Sequence, residues 1–171
     1  MKTLYSYKDI VLTPDYSEVR SRSDLDVGVH FLGRKFKSVA MPANMMCTID
    51  FDMAVNLSED EYFYVLHRFY TRSRVLDWIR RNQELRTISI SVGVKTDDYH
   101  FIDEIVNSGL RVDYITIDIA FGHSILMRQM LEYIKIVLPD VKVIAGNIST
   151  RKAANALKAW GADAVKIGLS M

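Results

Sequence analysis

Cysteine is nearly absent: Cys47 is the only one among 171 residues. A single thiol excludes an intrachain disulfide framework and fits a reducing compartment. Charge of one sign is also missing, because 22 basic and 21 acidic residues leave a net charge of +1, too little for nucleic-acid binding by bulk charge. No apolar run approaches the length a membrane span needs, and the first seven residues, MKTLYSY, lack the apolar core of a secretion signal. A cytoplasmic protein without a membrane or nucleic-acid partner is therefore expected. Four histidines, His30, His67, His100 and His123, show no metal-ligand spacing, so no metal site is expected. Linkers, low-complexity tracts and fixed-period repeats are lacking too, which leaves one domain over residues 1–171.

What is present is a regular alternation of short β-branched or aromatic runs with longer amphipathic ones, the pattern of parallel βα units. Strands are expected at residues 38–41, 62–66, 87–92, 114–119, 141–145 and 164–167. Between them, apolar residues recur at helical spacing, as in Val75, Leu76 and Ile79, or Met127, Met130, Leu131 and Ile134. Asp50, Ser73, Thr96, Ser124 and either Ser149 or Thr150 suit helix starts, Gly109 and Gly161 suit helix ends, and Pro139 stops the fourth long helix. Residues 1–37 have weak periodicity and read as an arm wrapping the bottom or side of the barrel formed by residues 38–171.

Polar residues and glycines gather where those strands end: Asn44, His67 and Arg68, Gly93 and Lys95, Asp118 with Gly122 and His123, Gly146 and Asn147, and Gly168. Parallel barrels build their sites from the loops at the carboxyl ends of the strands, so six such ends imply one functional face. Solvent contact alone also makes a strand end polar, and the repetition over six strands is what favours a site.

Several segments resemble, in order, the family of GMP reductases and IMP dehydrogenases. They are YKDIVLTP from Tyr7, SRSD from Ser21, PANM from Pro42, YVLHRF from Tyr64, SISVGVK from Ser89, YITIDIAFGHS from Tyr114, VIAGN from Val143 and GADAVKIG from Gly161. Residues 78–86 lead directly into the third strand, without the module most IMP dehydrogenases insert there, and the motif wording is most similar to bacterial GMP reductases.

The resemblance implies an α/β fold, an incomplete (β/α)8 TIM barrel of about six strands. It also implies an NADPH-dependent oxidoreductase of purine metabolism that converts GMP to IMP and ammonia. In that chemistry a cysteine thiolate attacks purine C2, the amino group leaves, and hydride from the nicotinamide reduces the covalent thioimidate. The resemblance gives cofactor contacts to Ser21, Arg22, Arg68, Asp118, Ile119, Ala120, Ile167 and Gly168, and makes Asn44 and Asn147 candidates to face the substrate. Arg22 also reads as a solvated arm residue, Arg68 as half of an ion pair, and the two asparagines as groups satisfying backbone. Phe121 stands where relatives usually carry a polar residue.

The family's nucleophilic cysteine follows the sixth strand, and is expected beyond Met171. Cys47, on the first loop, reads as an ordinary free thiol. The expectation is thus a chain inactive alone, working as a homo-oligomer or with a complementing C-terminal segment. The alternative is a non-catalytic nucleotide-binding or interaction protein derived from the same barrel.

Overall fold

The computed structural model describes residues 9–168; the opening of the first motif, Tyr7 and Lys8, and the closing residues 169–171 lie outside the described residues. Four parallel strands form the centre: β3 (Ser89–Val92), β4 (Tyr114–Asp118), β5 (Lys142–Ile148) and β6 (Ala164–Ile167), in that spatial order. Helices α1 (Phe51–Glu59), α2 (Arg72–Arg81), α3 (Thr96–Asn107), α4 (Ile125–Val137) and α5 (Arg151–Ala159) lie between and before them. Sequential parallel strands joined through helices are the βα pattern of a partial TIM barrel.

β3, β4 and β5 are largely buried, and the two faces of the sheet differ in what they carry. One face presents Ile90, Ile115, Ile117 and Val143 to Ile102, Ile105, Met130, Leu131, Ile134 and Leu157 of the helices, all within one buried cluster. The opposite face carries Ser89, Tyr114, Thr116, Ile144 and Ala164, aligned by the pairings Ser89 with Tyr114, Thr116 with Ile144, and Ile144 with Ala164. Its uppermost row is Asp118, Gly146 and Lys166, which are register partners across β4, β5 and β6.

Two expected strands differ. Residues 38–41 form no strand: the Ala40 N–H turns back onto Ser38 Oγ at 3.0 Å, and Lys37 N–H goes to the Glu61 carbonyl, so no ladder develops. Residues 62–66 are reduced to an isolated parallel bridge between Leu66 and Ile90, although Phe63 to Leu66 are buried as a strand would be.

The arm contains an unexpected hairpin, β1 (Val29–Phe31) and β2 (Arg34–Phe36). Its two-residue loop, Leu32-Gly33, has φ of 47° and 92°, the positive values that a type I′ turn needs and that only glycine adopts without strain. Phe36, register partner of Val29, packs edge-on against Phe63 and Tyr114, with ring centroids 5.2 and 6.4 Å away. The hairpin thus closes the amino-terminal end of the inner face, and burying Phe36 there contributes roughly 2–3 kcal/mol. Arg34 pins it from below through Asp113 at 2.7 Å, whose other oxygen receives the Ile88 N–H at 2.8 Å.

Helix starts follow local chemistry. Asp50, Ser124 and Thr150 accept N–H groups of Met53, Met127 and Ala153 as expected. Thr71 rather than Ser73 opens α2, and Lys95 rather than Thr96 opens α3. At α3 the work of a cap passes to Asp98, whose carboxylate receives the N–H groups of Gly93 and Lys95, each at 2.9 Å. Gly109 and Gly161 take positive φ at the ends of α3 and α5.

Candidate functional site

A cleft of about 750 Å³ opens at the carboxyl ends of the strands. Asn44, Asp118, Asn147, Ile167 and Gly168 all line it, so five of the ten candidate residues meet in one place. Lys166 joins them as the central charge. Its ammonium donates to Asn44 Oδ1 at 2.7 Å and Asp118 Oδ1 at 2.9 Å. An otherwise mixed row of a carboxylate, an amide and a cation thereby becomes a fixed polar floor.

Gly146 makes this possible. A Cβ placed there would lie 2.6 Å from Lys166 Cβ and 2.7 Å from its carbonyl oxygen, so only glycine lets β6 come this close. A similar restriction holds at Gly122, where a Cβ would meet the Asn147 carbonyl at 2.8 Å. The Gly122 N–H donates to that carbonyl at 2.8 Å, while Asn147 N–H donates to Ile119 O at 2.7 Å. The loop after β4 is thus laced to Asn147, and Asn147 Oδ1 is buried without a hydrogen-bond partner. A buried acceptor in that state calls for a donor from a ligand or water.

Asp118 Oδ1 is engaged by Lys166, which leaves Oδ2 to receive a ligand donor. Ile119 and Ala120 follow it directly, half-buried and exposed respectively. Arg68 lies apart, lining a neighbouring pocket of about 370 Å³ between the starts of α2 and α3. Ser21 and Arg22 are not brought to the cleft: they are exposed on a short 3-10 turn, where Ser21 Oγ accepts the Ser23 N–H and Asp24 receives the Ser21 N–H.

His67 is buried, and burial holds its pKa below the ordinary histidine value. Its Nδ1 accepts the Phe69 N–H at 3.1 Å, so the neutral ring carries its proton on Nε2. Cys47 also lines the cleft, but its recorded partner is Thr48 Oγ1 at 3.6 Å, with no base among the described residues bonded to the thiol. Among the described residues, no group of histidines, cysteines and carboxylates could hold a metal ion and no helix is long and apolar enough to cross a membrane.

Lys166 was missed as a site residue because it lies within a strand rather than at its end. The available signal was a lysine among Ala164, Val165 and Ile167, since a charge in a strand that otherwise reads as buried needs a partner.

A polar floor at the carboxyl edge of a parallel sheet, beneath a loop that follows a strand-end carboxylate, lies where α/β barrel proteins build their sites, and the fold is that of a partial α/β barrel. Residues 4–171 match the family described as IMP dehydrogenase / GMP reductase domain. The chain belongs to that family. Among curated relatives, a GMP reductase of Bacillus licheniformis is 47% identical over 171 residues, covering 99% of this chain and 52% of the relative. GMP reductases of Lactobacillus acidophilus and Bacillus subtilis are 44% and 43% identical, covering 96% and 99% of this chain and 50% and 52% of their own lengths. The chain spans about half the length of the curated relatives it matches.

Proposed function

We propose that this chain supplies the nicotinamide-nucleotide side of a GMP reductase site, serving NADPH-dependent reductive deamination of GMP to IMP and ammonia. The observation that carries this reading is the cleft floor, where Lys166 fixes Asn44 and Asp118 beside the unpartnered Asn147 Oδ1. Its residues fit the cofactor. An amide N–H donor, such as a carboxamide offers, answers both Asn147 Oδ1 and the free oxygen of Asp118. A cleft of about 750 Å³ is also in the usual size range for a small-molecule site. When bound, NADPH supplies the hydride.

The chain's own residues bind and orient. Lys166 holds Asp118 in place, Arg68 offers a guanidinium to a phosphate, and Ile119, Ala120, Ile167 and Gly168 form the main-chain border of the ring's place. Asn44 and Asn147 face the purine or the nicotinamide. Ser21 and Arg22 join only if the arm folds toward the cleft on binding. The covalent step needs an activated thiol, and no base among the described residues is bonded to Cys47. The chain alone is accordingly proposed to bind without turning over, with GMP or IMP as the second ligand.

Arg68→Ala tests the cofactor reading. NADPH affinity, measured by equilibrium titration, should fall by about 1–3 kcal/mol, the cost of losing a charge-assisted contact. Unchanged affinity, or equal affinity for NADH and NADPH in the parent chain, would remove the phosphate contact from the reading.

A further inference from the structure

Phe69 lies at the junction of the two pockets. It is 55% exposed, lines the main cleft, and follows Arg68, which lines the neighbouring pocket. The Arg68 guanidinium sits over the Phe69 ring, 5.0 Å from its centroid. One face of the ring carries the cation, the His67 ring lies tilted against it at 5.8 Å, and the exposed part of the ring borders the cleft.

The guanidinium is also uncommitted to the acids around it. Asp98, which lines the same pocket, already receives two backbone N–H groups, and Asp97 pairs with Arg72 at 3.2 Å. No ion pair to Arg68 occurs among the described residues. An exposed aromatic face on one side of a wall and a free guanidinium on the other match the two halves of a nucleotide, a planar heteroaromatic ring and a phosphate.

We infer that Phe69 is the stacking wall of the cleft: the ring of a bound nucleotide lies on its open face, and the phosphate reaches past it to Arg68. This rests on the nucleotide-binding reading above and adds a specificity residue to it. A cation behind the ring strengthens the site without competing for the stacking face, because guanidinium and ligand occupy opposite sides. Phe69 belongs to the short segment Arg68-Phe69-Tyr70, and the Tyr70 ring packs tilted against His67 at 4.3 Å, which steadies the turn that presents Phe69.

The test uses the whole chain with NADPH and GMP titrated separately, so that the arms reveal which of the two nucleotides takes the wall. Phe69→Leu should weaken binding of the stacked ligand roughly tenfold or more. Phe69→Trp should retain binding and show ligand-induced fluorescence quenching beyond that of the parent chain with Trp78 and Trp160. Circular dichroism establishes that both variants are folded. If the parent chain binds neither ligand, the nucleotide-binding reading fails and this inference falls with it. If it binds and Phe69→Leu binds both ligands equally well, or Phe69→Trp binds without added quenching, only the stacking wall is overturned.

Discussion

At the residue scale, the site depends on a glycine that makes no contact of its own with a ligand. Gly146 and Lys166 are register partners, and the missing Cβ lets the lysine stem cross to Asp118 and Asn44. Gly146→Ala should therefore cost about 1–3 kcal/mol through overpacking against the β6 backbone, which cannot move without shifting Lys166. Urea unfolding reads the loss, and a variant as stable as the parent would mean that β6 adjusts freely. Lys166→Met should cost less, about 1 kcal/mol, because the lysine and aspartate side chains are partly solvated and screened. The glycine was visible in the sequence as part of a strand-end motif, and so were Asn44, Asp118 and Asn147. The lysine that joins them was not, since its partners stand 122 and 48 residues away along the chain. Proximity of that kind comes from register, which local pattern does not report.

At the element scale, the helices and the central parallel strands were legible because their apolar periodicity and β-branched runs agree with the burial they end in. The first two expected strands were less so. Residues 38–41 contain a single β-branched residue, their backbone bonds go to turns, and Val39 is left 74% exposed. The hairpin β1–β2 escaped notice for a different reason, as three-residue strands are too short to display a period of two.

One tie between elements is open to titration. Asp163, just before β6, receives the Lys135 ammonium of α4 at 2.5 Å and the Val143 N–H of β5 at 2.7 Å. Burial alone would raise its pKa, yet the bond from Lys135, the Val143 N–H and the charges of Lys135 and Lys142 outweigh burial and hold the carboxyl below its usual value. A carboxyl whose pKa is lower in the folded chain stabilises the fold above its unfolded pKa, and the contribution is lost as pH falls through the folded pKa. Thermal unfolding followed from neutral pH into the acid range should thus show a shallower acid decline in Asp163→Asn than in the parent. Parallel curves would mean that Asp163 is not among the groups that set acid stability.

At the scale of the whole molecule, the sheet is sheltered unevenly. β3, β4 and β5 are largely buried, whereas β6 is half-buried along its length and Ile167 is 68% exposed. Beside β6 an apolar cavity of about 230 Å³, lined by Val29, Phe31, Phe63, Ile144 and Val165, opens on the inner face. The buried Thr116 Oγ1 on that face has no hydrogen-bond partner. All-parallel sheets are stable when covered on both faces, and an open edge beside apolar surface invites pairing with further strands. The surface therefore suits a polypeptide that continues the barrel, which we take to be the C-terminal half of a related GMP reductase or, failing that, another copy of this chain. Alone, the chain should self-associate and leave NADPH absorbance unchanged in the presence of GMP. Co-expressed with that C-terminal half, it should yield a defined species that oxidises NADPH, because strands and an activated thiol would arrive together. Cys47→Ala should leave that restored activity intact. A monodisperse monomer indifferent to the added half would overturn the pairing, and GMP-dependent NADPH oxidation by the chain alone would overturn the account of the nucleophile.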